Sequence, residues 1–291
     1  MNLLLTPRAW VRRHVVAHVR DLPSPLAGRT VMVTGGSSGI GAATARAVAE
    51  RGGTVLLVAR REDELAQVRA GIEASGGTAY SYACDLTDGP AVDELVDRVL
   101  AEHGAVDMLV NNAGRSIRRS LKLSYGRMHD FERTMAINYF APVRLMLGLL
   151  PAMRAQQFGH VVNVLSWGVQ IKAPRFSAYL ASKTALDTWS RIAGRETYAD
   201  NVTFTNVRLA LVRTEMIRET DVYQRSRAKT PEQAAEVIVR ALEDRPLTIS
   251  TAIGNVTEVL NLLAPRLMDA VAAAGSRRYP DSPAARGGYD S

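Results

Sequence analysis

The sequence predicts an α/β protein built on a doubly wound parallel β-sheet with helices on both faces. From Thr30 onward, short apolar runs rich in β-branched residues alternate with longer amphipathic segments, a pattern typical of successive β-α units. The run that holds Val161, Val162 and Val164 is nearly continuously apolar, which indicates a strand covered by helices on both sides. A chain of 291 residues with 47% apolar content suits one large core, so we expect a single domain.

The predicted elements follow one another in regular order over the first two thirds of the chain. The predicted strands are TVMVT, TVLLVA, TAYSYA, DMLVNNAG, HVVNVLS and VTFTNVRL. The predicted helices cover residues 39–51, 61–74, 89–103, 127–156 and 177–199. Because strands and helices alternate in this way, residues 28–252 are predicted to form one sheet domain.

The alternation weakens after Val212. We interpret the polar stretch 218–229 as a lid over a binding site. Thr230, directly before Pro231, has the residue type and position of a helix N-cap. A short strand is expected near 247–251.

The remaining residues, 253–291, are predicted to form a helical extension with a polar tail. Apolar side chains recur at helical spacing from Gly254 to Ala274, which predicts one amphipathic helix or two helices broken at Pro265. The tail 277–291 is polar and rich in Pro, Gly and Arg, so we expect it to be partly disordered.

An N-terminal arm, residues 1–27, precedes the first strand. Within residues 9–20 the side chains of Val11, Val15 and Val19 share one helical face while basic residues occupy the others. This basic amphipathic helix has two interpretations. It lies on a membrane surface as a peripheral contact or docks a partner, or it packs on its own domain or across a dimer.

Composition limits the classes of function. The net charge of +7 is spread among 36 basic and 29 acidic residues without a nucleic-acid motif, so no nucleic acid partner is expected. Cys84 is the only cysteine, which fits a reducing compartment, and we expect a cytoplasmic protein. No signal peptide and no run of about 20 apolar residues is recognised. No metal is predicted, because metal-ligand spacing is absent around His14, His18, His103, His129 and His160.

The segment TGGSSGIG, residues 34–41, joins the first strand to the first helix. At such a turn, backbone N–H groups and the helix dipole can hold a diphosphate, and glycines allow the backbone to approach it closely. A purely structural turn is the alternative. The cofactor contacts expected here are Gly35, Ser37, Ser38, Gly39, Ile40 and Gly41.

The second strand ends at Ala59 and is followed by Arg60 and Arg61. Dinucleotide-binding sheets usually place an acidic residue here to hold the ribose hydroxyls of the adenosine. A guanidinium group instead suits a 2′-phosphate, so NADP(H) is predicted over NAD(H). The alternative is a solvated basic turn.

Polar and small residues also follow the third and fourth strands. Asp85 and Leu86 are placed beside the expected adenine, although Asp85 could equally cap the next helix. In the NNAG motif, the small residues let the backbone pass close to a nicotinamide ribose while asparagines tie neighbouring strands. The expected contacts in this motif are Asn112, Ala113 and Gly114.

The strongest sequence evidence is a set of catalytic residue types. Ser166 ends the fifth strand, and Tyr179 and Lys183 follow four residues apart, on one face of a predicted helix. A nearby ammonium stabilises phenolate and lowers a tyrosine pKa from about 10 toward neutral pH, as acid/base catalysis requires. Asn138 could carry a water relay to Lys183.

In this order and spacing, these residues resemble the short-chain dehydrogenase/reductase superfamily over about residues 28–250. The resemblance implies a Rossmann fold in which Tyr179 protonates the substrate oxygen and Ser166 orients the carbonyl. It further implies that Lys183 binds the nicotinamide ribose and that Asn138 completes the proton path. The cofactor would supply hydride.

One departure from the superfamily pattern follows the sixth strand. A Pro-Gly pair is usual there, whereas this sequence has Leu209 and Ala210. Val212 and Thr214 still match the contacts to the nicotinamide carboxamide. The turn beside the nicotinamide is therefore not fixed by the resemblance.

A narrower resemblance rests on NNAGRSIRRSL, HDFERTMAINYF, APRFSAY, ALVRTEMI, LAPRLMDAV and YPDSPAA. These segments resemble an actinobacterial subgroup that includes the reductase domains of fatty acyl-CoA reductases. The implied substrate is lipophilic, a long-chain acyl-CoA or fatty aldehyde, in a pocket expected to include Trp167, Phe176 and Met216. Homodimers or homotetramers are implied through helices 127–156 and 177–199.

Two other hypotheses are open at this point. One is a dehydrogenase of a sterol, another hydroxy-lipid or a small alcohol or ketone. The other is a non-catalytic, NADP-sensing scaffold on the same fold. The complete set of Ser166, Tyr179 and Lys183 argues against the scaffold, because cofactor binding alone would not need all three residues.

Overall fold

The computed structural model describes residues 23–214, 228–277, 281 and 285. Within these residues seven strands form one parallel sheet in the order β3-β2-β1-β4-β5-β6-β7. The strands are β1 Thr30–Thr34, β2 Thr54–Ala59, β3 Thr78–Ala83, β4 Met108–Asn111, β5 Gly159–Ser166, β6 Val202–Leu209 and β7 Thr248–Ile249. The predicted fold class, a doubly wound parallel sheet, is confirmed.

Helices cover both faces of this sheet. They are α1 Gly39–Ala49, α2 Glu62–Ala74, α3 Gly89–His103, α4 Met128–Met135, α5 Ala141–Ala155, α6 Gly168–Ile171, α7 Ser177–Glu196, α8 Pro231–Asp244, α9 Ala252–Leu263 and α10 Pro265–Arg277. A π-helical turn, Ala136–Phe140, joins α4 to α5, so the long helix predicted over 127–156 is present with a widened turn inside it. The predicted break at Pro265 separates α9 from α10.

Alternate residues of the strands belong to two separate hydrophobic cores. Val31 and Val33 of β1 pack on one face with α1, α2 and α8. Met32, between them, packs on the other face with α3, α5 and α7. This explains why strands such as β2 and β5 are nearly continuously apolar, as the sequence indicated for β5. Leu26, within the predicted N-terminal arm, is fully buried in the first core.

The start of α8 follows the predicted capping chemistry. The Thr230 side chain accepts a hydrogen bond from the backbone N–H of Gln233, and the Gln233 side chain accepts one from the backbone N–H of Thr230. This reciprocal capping box satisfies two backbone donors that a helix start otherwise leaves unpaired.

One helical stretch of the described residues, Met128–Ala155, is long and apolar enough by length and composition to cross a membrane. The expectation that no segment reaches this limit is therefore wrong for this stretch. Its side chains Leu145, Met146 and Leu149 are fully buried in the second core, against α3 and the sheet. Packing inside the protein thus accounts for part of its apolar composition, whereas Phe140 and Leu147 are exposed.

Several sequence predictions fall on other parts of the chain. Residues 1–22 of the N-terminal arm and 215–227, which include most of the expected lid and Met216, lie outside the described residues. So does most of the tail. Its Asp281 and Ala285 are described and packed on the domain, so the predicted partial disorder does not extend to these two residues.

Candidate active site

A cleft of about 1600 Å³ opens at the carboxyl ends of the strands. It lies where the sheet order reverses between β1 and β4, the usual ligand position in such sheets. The expected site residues that line it are Gly35, Ser37, Ser38, Gly39, Ile40, Arg60, Arg61, Asp85, Leu86, Asn112, Ala113, Gly114, Ser166, Trp167, Phe176, Tyr179, Lys183, Val212 and Thr214.

Two expected residues that the structure describes lie behind the wall of the cleft. A Cβ atom on Gly41 would come within 2.0 Å of the Gly35 carbonyl oxygen, so this glycine permits the tight turn. Gly35 has φ +66°, in the left-handed region that glycine adopts without strain. Asn138 is fully buried next to Ala136 and Ile137, which do line the cleft.

The glycine turn leaves the start of α1 open toward the cleft. Ser38 occupies the N-cap position in an extended conformation, and its side chain makes no capping hydrogen bond. The first backbone N–H groups of a helix have no partner within the helix, and the helix dipole is positive at this end. The arrangement suits an anionic group such as a diphosphate.

Thr34 joins this turn to the NNAG motif. Its Oγ accepts hydrogen bonds from the backbone N–H groups of Asn112 and Ala113, each at 3.0 Å. The Asn112 amide donates to the Thr34 carbonyl oxygen at 2.9 Å. The two loops that form the floor of the cleft are therefore held together.

A row of buried asparagines crosses the sheet beneath the cleft. Asn111 on β4 donates to Asn163 on β5 at 2.9 Å, and Asn163 donates to Asn206 on β6 at 3.1 Å. The Asn206 amide donates to a carboxylate oxygen of Asp187 at 2.6 Å. The asparagine of NNAG that points away from the cleft thus ties neighbouring strands.

Arg60 and Arg61 both extend from the end of β2 and are exposed. Arg61 pairs with Glu64 at 2.8 Å. Asp85 accepts hydrogen bonds from the backbone N–H and the hydroxyl of Thr87, which lower its pKa, with a further contribution from the positive charge of Arg60. The cap of α3 is Asp88 instead, which accepts from the backbone of Ala91.

Ser166, Tyr179 and Lys183 all line the cleft. The Ser166 Oγ accepts a hydrogen bond from the backbone N–H of Gly168 at 3.1 Å. Tyr179 lies in the first turn of α7 and Lys183 one turn later, with Nζ donating to the Val164 carbonyl oxygen at 2.9 Å. Burial lowers the pKa of Lys183 to about 8, so its ammonium persists at neutral pH.

Asn138 uses its side chain to position the loop after β4. Its Oδ1 accepts from the backbone N–H of Arg115, and its Nδ2 donates to the Arg115 carbonyl and to Ser182 Oγ, all at 2.9 Å. The π-helical turn places this amide between that loop and α7. Both N–H groups of the amide are engaged by the protein, and the water relay to Lys183 stays a prediction.

A group of charged residues beside the cleft was not predicted from the sequence. Asp130 is buried and contacts Arg119 at 3.1 Å, Arg127 at 3.0 Å and Arg133 at 2.6 Å. Burial alone would raise the pKa of Asp130, but the hydrogen bonds from Arg127 and Arg133 hold it below its ordinary value. The run of arginines directly after NNAG was the available signal. Ala285, which also lines the cleft, ends the YPDSPAA segment but was not predicted as a site residue.

The residues after β6, where a Pro-Gly pair is usual, form a backbone bridge. Instead of a Pro-Gly turn, residues 211–213 pair with Lys229. The Lys229 N–H donates to the Leu211 carbonyl and the Arg213 N–H donates to the Lys229 carbonyl, each at 2.9 Å. This bridge fixes the backbone on either side of Val212 beside the cleft.

Among the residues that the structure describes, no group of three or more His, Cys, Asp or Glu side chains could hold a metal ion.

Comparison with known proteins identifies the family. The family model described as short chain dehydrogenase matches residues 29–224. The chain belongs to this family. It is thus an oxidoreductase of the short-chain dehydrogenase/reductase (SDR) type, and the predicted superfamily is confirmed.

Relatives of this SDR chain match most of its length. An uncharacterized oxidoreductase of Mycobacterium bovis is 50% identical over 92% of this chain and 80% of the relative. A fatty acyl-CoA reductase of Acinetobacter baylyi is 44% identical over 89% of this chain and 88% of the relative. The crystal structure of a metagenomic short-chain oxidoreductase in complex with NADP is 32% identical, with TM-score 0.67, over 78% of this chain and 97% of that one.

Proposed function

We propose that this SDR protein uses NADPH to reduce a lipophilic carbonyl compound, a long-chain fatty aldehyde or a fatty acyl-CoA. The observation that carries the proposal is the meeting of Ser166, Tyr179 and the buried Lys183 on one cleft. The likeness to a fatty acyl-CoA reductase over almost the whole chain supports the substrate class. Apolar residues that line the cleft, such as Ile171, also suit a lipophilic substrate.

The residues of the cleft fit a phosphorylated dinucleotide. The open start of α1 and the turn at Gly35 would hold its diphosphate, and Arg60 would pair with its 2′-phosphate. Lys183 would donate to the nicotinamide ribose, and Thr214 would contact the carboxamide. Bound here, NADPH would supply the hydride. A related short-chain oxidoreductase was solved in complex with NADP, which supports this cofactor.

The side chains of the protein would handle the proton. The Ser166 hydroxyl would donate to the substrate oxygen and hold it beside the Tyr179 phenol. Tyr179 would then give its proton to that oxygen as negative charge develops there. The ammonium of Lys183, charged at neutral pH because its pKa is about 8, would stabilise the phenolate that remains.

The test follows NADPH oxidation with a long-chain aldehyde, a long-chain acyl-CoA and a short water-soluble ketone side by side. We expect turnover of the long-chain compounds only. The Tyr179→Phe variant should lose turnover but still bind NADPH in calorimetry. Tyr198→Phe, at an exposed tyrosine outside the cleft, is the matched control and should behave as the unmodified protein.

The other outcomes discriminate among the remaining hypotheses. Turnover of the short ketone alone would leave a general SDR reductase and remove the lipid substrate. Oxidation of a sterol or other hydroxy-lipid with NADP⁺, without aldehyde reduction, would favour the dehydrogenase alternative. NADPH binding without any turnover would favour the NADP-sensing scaffold. A cytoplasmic location, membrane contact through residues 1–27 and a homodimeric or homotetrameric state stay predictions from the sequence.

A further inference from the structure

The chain returns to the active-site cleft close to its C-terminus. Ala285 is 3% exposed and lines the cleft beside Ile117 and Arg118 of the loop after β4. Its carbonyl oxygen accepts a hydrogen bond from the Arg119 guanidinium, a contact between residues 166 positions apart. A residue near the chain end therefore forms part of the wall of the cleft.

Arg119 is itself firmly held. It is 6% exposed, its Nε lies 3.1 Å from Asp130 Oδ2, and its backbone N–H donates to the Arg175 carbonyl at 2.7 Å. Asp130 is buried among further arginines, so the guanidinium that binds Ala285 belongs to a fixed group of charges. Truncating one member of such a buried charged group is costly, because its partners lose their compensation.

A second contact that holds the C-terminal residues on the domain involves Asp281, four residues earlier in the chain. The Asp281 carboxylate accepts a hydrogen bond from the backbone N–H of Ser120 at 3.0 Å, and one of its oxygens lies 3.9 Å from Arg175 Nε. Burial opposes ionisation of this carboxyl group, but the hydrogen bonds from Ser120 and the nearby Arg175 lower the pKa of Asp281. The carboxylate therefore stays charged at neutral pH.

Arg175 connects the contacts of both Ala285 and Asp281 to α7, the helix that carries Tyr179. It has φ +73°, an uncommon backbone conformation for a residue other than glycine. Its carbonyl accepts from Arg119, and its Nη2 donates to the Ser276 carbonyl in α10 at 2.9 Å. Phe176, the next residue, stands edge-on to the Tyr179 ring with 6.3 Å between ring centroids. The C-terminal contacts are thus adjacent to the side of the cleft that holds Tyr179.

We infer that Asp281 and Ala285, here called the C-terminal strap, form a specificity-determining wall of the substrate side of the cleft. This inference rests on the proposed reduction of a lipophilic carbonyl. Ala285 limits the space available to the substrate beyond its reacting carbonyl, and Asp281 keeps that wall in place. As a wall of the cleft, the strap would set which substrates fit and not the chemical step.

The first test enlarges the wall. In Ala285→Trp, the value of kcat/KM for the longest aldehyde accepted should fall about tenfold relative to that for the shortest, since loss of room for a methylene or more costs at least this factor. Ala273→Trp makes the same substitution at an exposed position of α10 and is the control. An unchanged long-to-short ratio in Ala285→Trp, or an equal change in the control, would overturn the proposal.

The second test loosens the wall and stays informative if the tryptophan variant does not fold. Asp281→Ala removes the carboxylate that binds Ser120 and Arg175, so the same long-to-short ratio should rise, opposite to its fall in Ala285→Trp. A residue that only stabilises the fold would lower kcat/KM for all aldehydes together. Such a uniform loss, or no change in the ratio, would contradict the proposed role of Asp281.

A binding measurement separates this proposal from the proposed function. If the unmodified protein reduces neither a long-chain aldehyde nor a long-chain acyl-CoA, the proposed function fails, and the wall is then tested by calorimetric binding of a long-chain alcohol. Ala285→Trp should weaken that binding about tenfold while Ala273→Trp leaves it unchanged. Equal binding by the two variants, or no binding to the unmodified protein, would refute the strap as a wall of the cleft.

Discussion

Replacing Lys183 by methionine should stabilise the protein while abolishing turnover. Methionine has nearly the length of lysine but no charge, and the Lys183 side chain is buried, with 3% exposed. Burial lowers the pKa of this lysine from 10.5 to about 8. At about 1.4 kcal/mol for each pKa unit, holding the ammonium in the folded protein at pH 7 costs about 3 kcal/mol.

The sign of the pH dependence follows from this lowered pKa. Below pH 8 the lysine is charged in both the folded and unfolded chains, and the full cost is present. As pH rises from about 8 toward 10.5, the folded chain releases its proton while the unfolded chain keeps it, so the cost disappears. The advantage of Lys183→Met in the free energy of unfolding should therefore shrink by about 2 to 3 kcal/mol between pH 7 and pH 10.

Urea unfolding of the unmodified protein and Lys183→Met at several pH values measures this difference directly. Loss of the hydrogen bond from Nζ to the Val164 carbonyl adds a contribution that is nearly constant below pH 8, so the trend matters more than the absolute gain. Other titrating groups are common to both proteins and cancel in the difference. A stability difference that stays constant from pH 7 to pH 10 would refute the assignment of a costly buried ammonium at this position.

Three further predictions concern the packing of Gly114, the helix cap at Thr230 and the cofactor contact of Arg60. Gly114→Ala should destabilise the protein by about 1 to 3 kcal/mol and reduce kcat, because its Cβ would lie 2.8 Å from Asn138 Oδ1 and 3.3 Å from Lys183 Nζ; unaltered melting and turnover would contradict this packing. Thr230→Ala should cost about 1 kcal/mol in urea unfolding through loss of the helix cap, whereas no loss would show that water replaces it. Arg60→Ala should weaken NADPH binding about 10- to 100-fold in calorimetry and leave NADH binding nearly unchanged; equal losses for the two would argue against a 2′-phosphate contact.

Much of the fold and the position of the site could be predicted because both follow from local sequence patterns. Apolar strands alternate with amphipathic helices, and the motifs at Gly35, Asn112 and Ser166 each follow a strand. The carboxyl ends of parallel strands meet at one edge, so these motifs had to meet in space.

The unpredicted parts depend on contacts between distant segments. The bonding of Asn138 to both Arg115 and Ser182 depends on a π-helical turn, which leaves no clear periodic signal in the sequence. The contact of Ala285 with Arg119 joins a polar tail to a loop more than half the chain away. Composition alone predicted partial disorder for that tail, because it contains few apolar residues with which to predict packing.

The asparagine row beneath the cleft also fixes how the strands align. Asn111, Asn163 and Asn206 occupy matched positions on β4, β5 and β6, so a slip of β5 by one residue would move the Asn163 amide to the opposite face of the sheet and break two links at once. Every amide in the row donates in the same direction and the last one ends on Asp187, which pairs with Arg208 at 2.8 Å. Reversing the Asn163 amide would place like atoms against its neighbours on both sides, and reversing the Asn206 amide would turn its oxygen toward the Asp187 carboxylate. The row therefore has one polarity from the NNAG loop to that ion pair.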